Sequence, residues 1–153
     1  MIVKIVDGGL DDAQVLAMLR FHFDTNMAVT PPGSAHVFDV SRLKNPDVQF
    51  WSAWREDTVM GVGALKTMSA EHGEIKSMHT LQTARRSGVG AAMLCHIIDA
   101  ARMKSLKRLS LETGSFEFFA PARALYARHG FTECEPFGDY ALDPNSTFMT
   151  RLI

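Results

Sequence analysis

The chain has 153 residues, of which 46% are hydrophobic and 22% charged, and its formal net charge is −1. This composition is typical of a soluble globular protein and predicts one domain over residues 1–153 with its own core. The near-neutral charge argues against a nucleic-acid-binding face, and no apolar run reaches the ~18 residues of a membrane span. The first residues lack the layout of a signal peptide and are expected to form a strand.

The two cysteines bear on metal binding and location. Cys95 and Cys134 do not have the spacing of metal ligands, so no metal site is expected. Both are expected to be reduced residues of the core, which predicts a cytoplasmic protein.

Hydrophobic periodicity predicts alternating strands and helices along the chain. Strands are expected at residues 2–6, 48–54, 59–65, 74–81, 108–112, 131–134 and 148–152, and helices at 11–23, 34–43, 89–104 and 121–129. Glycines 61 and 63 within one strand indicate a bulge or a close approach of the backbone to a neighbour. The order favours an α/β fold, a mixed sheet with helices on both faces.

The stretch Arg-Arg-Ser-Gly-Val-Gly-Ala at 85–91 lies between a predicted strand and a predicted helix. The N–H groups of a first helical turn lack intrahelical partners, and the helix dipole favours negative charge there. Gly88 and Gly90 allow close approach of a ligand, and Arg85 and Arg86 add forked donors for phosphate oxygens. The stretch therefore predicts a pyrophosphate site. Its spacing matches neither the nucleoside triphosphate loop nor Gly-x-Gly-x-x-Gly.

Two linked motifs resemble those of the GCN5-related N-acetyltransferases. The first is the loop Arg-x-x-Gly-x-Gly at 85–90, and the second is the helix Ala-x-x-Leu-Tyr-x-x-x-Gly-Phe at 122–131. The resemblance covers residues 48–134 well and the N-terminal part by element order. The segments 74–78, 109–115 and 134–146 are similar to a subgroup of small bacterial N-acetyltransferases. The family's fold, a central mixed sheet flanked by helices, is therefore expected.

The resemblance implies an acetyl-CoA-dependent enzyme that acetylates a primary amine of a small molecule or peptide, by direct transfer in a ternary complex. In the family, a splayed central strand pairs with the pantetheine arm, and the glycine loop binds the phosphates. The implied cofactor-binding residues are Met78, His79, Thr80, Arg85, Arg86, Ser87, Gly88, Val89, Gly90 and Ala91. A non-catalytic acyl-CoA-binding or regulatory domain of the same fold is the alternative, and a nucleotide-binding α/β domain is a remote third possibility.

Two residues are the catalytic candidates. Tyr126 aligns with the tyrosine that serves the family as general acid for the departing thiolate, although an aromatic side chain on the core-facing stripe is an alternative reading. Glu74 has the offset of the family's catalytic glutamate and could accept the amine proton. His79 is a rival base and Glu112 a weaker one. Strand alternation places Glu74 and His79 on opposite faces, so at most one of them is expected to face the acceptor.

One position departs from the family pattern. Many members carry an asparagine that binds pantetheine seven residues before the helical tyrosine, and Phe119 stands there. The apolar loop around it is expected to cover the pantetheine or to face a second subunit, and homodimers are common in the family. Acceptor-binding candidates that form no motif are His22, Ser34, His36, Trp51, Asp139 and Tyr140.

Overall fold

The computed structural model describes residues 2–29, 40–81 and 84–153. Its strands are β1 (Lys4–Asp7), β2 (Val48–Arg55), β3 (Thr58–Thr67), β4 (His72–Thr80), β5 (Arg108–Gly114), β6 (Thr132–Glu133) and β7 (Ser146–Leu152). Within the described residues these seven strands form one sheet in the order β1-β2-β3-β4-β5-β7-β6. The β4–β5 pair is parallel and the other pairs are antiparallel, which confirms the predicted mixed sheet.

The helices cover both faces of this sheet, as predicted. They are α1 (Ala13–Val29), α2 (Val40–Leu43), α3 (Val89–Met103) and α4 (Ala120–Arg128), the last preceded by a 3-10 turn, Glu117–Phe119. The first part of the helix expected at residues 34–43 lies outside the described residues. Among the helices that the structure describes, none combines the length and apolarity needed to cross a bilayer.

Two hydrophobic clusters hold the helices against the sheet. One joins α3 and α4 to β3, β4 and β5, and the other joins α1 and α2 to β2 and β3. Gly63 allows the close approach predicted for it, because a Cβ there would lie 2.9 Å from Met93 and 3.0 Å from Ile97 of α3. Cys95 is exposed, so its assignment to the core was wrong, whereas Cys134 is half-buried.

Local signals explain where the first and last helices begin and end. The Asp12 carboxylate accepts bonds from the backbone N–H groups of Gln14 (2.8 Å) and Val15 (3.2 Å), as an N-cap residue does. In α4, proline stands in the first turn. Beyond its end, Gly130 has a φ of 86°, a conformation in which glycine is favoured.

Candidate active site

A cleft opens where β4 and β5 separate. The two strands pair only from His72–Glu74 to Arg108–Ser110, whereas β5 keeps its pairing with β7 along its whole length. Beyond Glu74, the β4 backbone is bonded to β3 alone among the described strands, and its other edge faces a cleft of about 630 Å³. An extended ligand with amide groups can add to such an edge as a further strand does.

A β-bulge in β4 determines which side chains enter this cleft. Val62 pairs with His79 and Ala64 with Lys76, so that β4 carries one extra residue, and Ser77 adopts a left-handed φ of 55°. Ile75 and Met78 consequently both pack in the core beneath α3. Their neighbours Glu74 and His79 therefore share the opposite face. The prediction that these two side chains lie on opposite faces was wrong, because the extra residue reverses the alternation.

The glycine loop forms the end of the cleft at the N-terminus of α3. The first described intrahelical bond runs from Ala92 N–H to Gly88 C=O, 2.9 Å, so the preceding N–H groups of the first turn have no helical acceptor. Gly88 has a φ of 91°, and Arg86 also has a positive φ, 64°. The Ser87 hydroxyl donates to the Ala84 carbonyl and closes the turn. Convergent N–H donors beside two arginines form a donor set that suits phosphate oxygens.

Gly90 marks the point at which three elements meet. A Cβ on this residue would lie 3.3 Å from Leu125 Cδ2 of α4 and 3.4 Å from Thr80 Oγ1 of β4. The predicted cofactor-binding residues that line the cleft are Met78, His79, Thr80, Arg85, Arg86, Gly88, Gly90 and Ala91. Val89 is instead buried in the core through its side chain, and Ser87 does not line the cleft.

Tyr126 reaches the cleft from α4. Its side chain is 6% exposed and contacts Phe131 edge to face, with 5.9 Å between the ring centres. Burial, and secondly the negative charge of Glu112, raise the pKa of the Tyr126 phenol well above its ordinary value. The phenol is therefore protonated at neutral pH, so its hydroxyl can donate a hydrogen bond. Tyr126 therefore packs in the core and also lines the cleft, so both readings of this residue describe its position.

Glu74 is a buried carboxylate in the wall of the same cleft. It is 4% exposed, and its Oε2 accepts bonds from the Tyr140 hydroxyl (2.6 Å) and from Lys76 Nζ (3.3 Å). These partners offset the cost of burying a carboxylate. Glu112, the weaker candidate, also lines the cleft.

His79 is paired with His22 of α1. Their Nδ1 atoms lie 2.8 Å apart, and Asn26 Nδ2 lies 3.3 Å from His22 Nε2. Because an amide nitrogen only donates, His22 Nε2 accepts, His22 Nδ1 carries the proton, and His79 Nδ1 accepts it. Burial lowers the pKa of His79 to about 3, with further contributions from His22 and Arg85. The lone pair that His79 would need as a base is thus engaged.

Some of the acceptor-binding candidates line the cleft and others do not. His22 and Tyr140 line the cleft. Trp51 is 1% exposed within the core on the α3 side, so its assignment to the acceptor site was wrong. Asp139 is exposed and does not line the cleft, whereas residues 34 and 36 lie outside the described residues. Sequence reasoning missed Asn26 and Lys76, which carry no motif and are recognisable only by their contacts.

Phe119 has a packing role that explains its departure from the family pattern. Its ring covers Gly114, where a Cβ would lie 2.0 Å from the nearest ring carbon. Arg123 fastens the intervening loop by donating to the carbonyls of Gly114 (2.7 Å) and Phe116 (2.9 Å). Phe119 therefore lines the cleft with an apolar ring in place of an amide.

Comparison with known sequences identifies similar proteins over the whole chain. Residues 15–131 match the family model described as the acetyltransferase (GNAT) family. The chain is 46% identical over 151 residues to the Bacillus subtilis protein named uncharacterized N-acetyltransferase YsnE, with 99% of each chain covered. It is 45% identical over 136 residues to the Escherichia coli protein named uncharacterized N-acetyltransferase YedL, with 89% of this chain and 86% of that protein covered.

Solved structures show the same fold. An acetyltransferase from Streptococcus agalactiae aligns with a TM-score of 0.79 at 20% identity, over 99% of this chain and 98% of that one. The PaiA N-acetyltransferase from Thermoplasma acidophilum, determined in complex with coenzyme A, aligns with a TM-score of 0.78 at 14% identity over 100% of both chains. At these identities the likeness concerns the fold alone.

Proposed function

The chain belongs to the GNAT family of acetyltransferases and is an N-acetyltransferase, and from that premise we propose that it transfers acetyl from acetyl-CoA to a primary amine of a small molecule or peptide. The observation that carries this proposal is the separation of β4 from β5 directly beside the glycine loop at α3. The cleft thus offers an unpaired strand edge and an anion site to one ligand. The pantetheine arm and pyrophosphate of coenzyme A have this combination of chemistry.

We propose that coenzyme A is held by backbone groups more than by side chains. The pyrophosphate would rest on the N–H groups of the first turn of α3, with Arg85 and Arg86 beside it. A Cβ at Gly88 would meet no atom within 4 Å, and this open space supports the approach of a phosphate to the turn, whereas Gly90 packs the turn against Leu125 and Thr80. The amides of the pantetheine arm would bond the open edge of β4 at Met78, His79 and Thr80.

Glu74 is proposed as the general base. A primary amine must lose a proton as its nitrogen bonds to the thioester carbon, and a carboxylate in the cleft wall can accept that proton directly or through a water. His79 is a poorer base, because its pKa is lowered to about 3 and its Nδ1 accepts from His22. Glu74 and His79 project from the same face of the sheet. The preference for Glu74 as the base therefore rests on the low pKa and the engaged Nδ1 of His79, and not on orientation.

Tyr126 is proposed to stabilise the departing sulfur. Bound acetyl-CoA supplies the thioester, whose carbon–sulfur bond breaks as the nitrogen–carbon bond forms. The phenol, with its raised pKa, is a weaker acid than a thiol, whose pKa is about 8.5, so full proton transfer to the sulfur is uphill. Its effect is therefore that of a hydrogen-bond donor to the developing thiolate, as in an oxyanion hole.

Thiol release from acetyl-CoA tests this function. The purified protein is incubated with acetyl-CoA and a panel of amino acids, polyamines, aminoglycosides and peptide N-termini. We expect turnover with one amine class and formation of its N-acetyl product by mass spectrometry. A protein that neither binds coenzyme A nor releases thiol with any amine would contradict the proposal.

Two further expectations accompany this proposal. The free cysteines Cys95 and Cys134 support a reducing, cytoplasmic location. Phe118 is 45% exposed beside the cleft, and we propose that a second subunit covers it in a homodimer. Light scattering after size-exclusion chromatography distinguishes a dimer from a monomer.

A further inference from the structure

The loop between β6 and β7 folds back over the sheet and reaches the cleft. Three aromatic rings hold it there: Phe137 lies 5.1 Å from Tyr140 and 6.0 Å from Phe148 of β7, and Tyr140 lies 5.5 Å from Phe148, measured between ring centres. All three contacts are edge to face or nearly so, the arrangement that aromatic pairs prefer. His72 of β4 also contacts Phe137, at 5.9 Å. The loop is thus fixed to the sheet through its aromatic side chains.

The anchored loop places the Tyr140 hydroxyl against the Glu74 carboxylate. The Tyr140 hydroxyl donates to Glu74 Oε2 at 2.6 Å, a short bond of the kind formed between a hydroxyl and an ionised oxygen. Lys76 Nζ bonds the same oxygen at 3.3 Å. Among the described residues, no side chain bonds Glu74 Oε1. The two donors therefore fix the carboxylate plane and leave the second oxygen for another partner.

We propose that Tyr140 is a positioning residue for the acetyl transfer, which acts by orienting Glu74 so that Oε1 accepts the proton of the amine. This inference deepens the proposed function and rests on it. Tyr140 itself remains protonated, because burial raises the pKa of its phenol, and the charge of Glu74 raises it further. It therefore holds the base without competing for the proton.

Other charged groups lie near the carboxylate. Glu112 of β5 acts on the Tyr140 hydroxyl, and Arg108 and Glu74 both act on His72. Lys66 of β3 is the register partner of Glu74. The Tyr140→Phe substitution changes none of these charges. It removes one hydroxyl and keeps the ring that packs against Phe137 and Phe148.

The test compares Tyr140→Phe, Glu74→Gln and the double variant. In Tyr140→Phe we expect kcat to fall about tenfold, as for a lost hydrogen bond to a charged group. The KM for acetyl-CoA should be unchanged, because the lost hydroxyl orients the base and does not contact the cofactor. In the Glu74→Gln background the same substitution should have little further effect. The exposed Leu142→Ala in the same loop is the control and should match the wild type.

A second readout does not depend on turnover. The ¹³C chemical shift of the Glu74 carboxyl, assigned by its loss in Glu74→Gln, should change at neutral pH in Tyr140→Phe, because the carboxylate loses a donor. An unchanged ¹³C chemical shift, together with a wild-type kcat, would overturn the positioning role even if the wild type is an active acetyltransferase. An equal fall of kcat in both backgrounds would also overturn it, because Tyr140 would then act independently of Glu74. A wild type that lacks turnover, while the ¹³C chemical shift changes in Tyr140→Phe, would contradict the proposed function and not the contact.

Discussion

His22 Nδ1 and His79 Nδ1 lie 2.8 Å apart, and this bond joins helix α1 to the strand that borders the cleft. Both rings must be neutral for it to form in the observed arrangement, because Asn26 donates to the other nitrogen of His22. Burial lowers the pKa of His22 to about 4, with a smaller contribution from Arg85, and that of His79 to about 3. The contact between α1 and β4 is therefore sensitive to acid.

This sensitivity predicts a fall in stability on mild acidification. As the pH drops below 6.5, unfolded histidines take up protons while the folded pair does not, so the unfolded state binds more protons. The contribution is complete above pH 6.5 and is lost as the pH falls toward 4. For His22 the free energy of unfolding should decrease by about 1–2 kcal/mol between pH 7 and pH 5. Urea unfolding at several pH values measures it, and a His22→Gln variant with an undiminished slope would contradict the assignment.

Substitution of Arg86 should weaken the binding of coenzyme A. Loss of a charge-assisted bond to phosphate costs about 1.5–3 kcal/mol, so Arg86→Ala should raise the Kd at least about tenfold. Added salt should reduce the difference, because the interaction is between charges. Calorimetric titration provides the measurement. Arg102→Ala is the matched control, since that exposed arginine lies near the other end of α3, beside Asp99, and should bind coenzyme A as the wild type does.

Tyr126→Phe should separate chemistry from binding. The variant keeps the ring that packs against Phe131 and loses only the hydroxyl. We expect kcat to fall about 10- to 100-fold, the range for a lost hydrogen bond to a charged group, with an unchanged Kd for coenzyme A. Steady-state kinetics beside a binding titration test this. A wild-type kcat would mean that the hydroxyl does not stabilise the leaving sulfur.

Gly114→Ala should destabilise the protein by overpacking. The added methyl would lie 2.0 Å from the ring of Phe119, and Arg123 restrains the loop that would have to move. The expected loss is about 1–3 kcal/mol of unfolding free energy. A second substitution, Phe119→Leu, should recover part of it by making room. Thermal unfolding of the two single variants and the double variant measures this coupling, and purely additive effects would rule out the contact as the cause.

The sequence predicts most of the fold and the glycine loop that forms one end of the cleft. Apolar periodicity indicates the strands and helices, and the glycine spacing indicates the turn at the start of α3, whose binding of phosphate stays a prediction. The bulge in β4 is different, since its left-handed residue is Ser77, which carries no signature of that conformation. Because the sequence does not indicate this bulge, strand alternation wrongly places His79 and Glu74 on opposite faces of the sheet.

The parts of the site that the sequence does not predict depend on contacts between residues far apart in the chain. Tyr140 and Glu74 are 66 residues apart, and His22 and His79 are 57 apart, so no local pattern pairs them. Each contact depends on how a loop or helix packs on the sheet. Trp51 was wrongly predicted for the same reason, because its burial in the core depends on how α3 packs on the sheet.

A comparison of coenzyme A with pantetheine in a calorimetric titration tests the central claim most directly. Pantetheine retains the arm that would pair with β4 and lacks the pyrophosphate that would bind the first turn of α3, together with the 3′-phosphoadenosine attached to it. We predict saturable binding of coenzyme A, and binding of pantetheine that is weaker by at least about 100-fold, given several charge-assisted bonds. Equal affinity for the two, or no binding of coenzyme A, would contradict the placement of the pyrophosphate on residues 85–91.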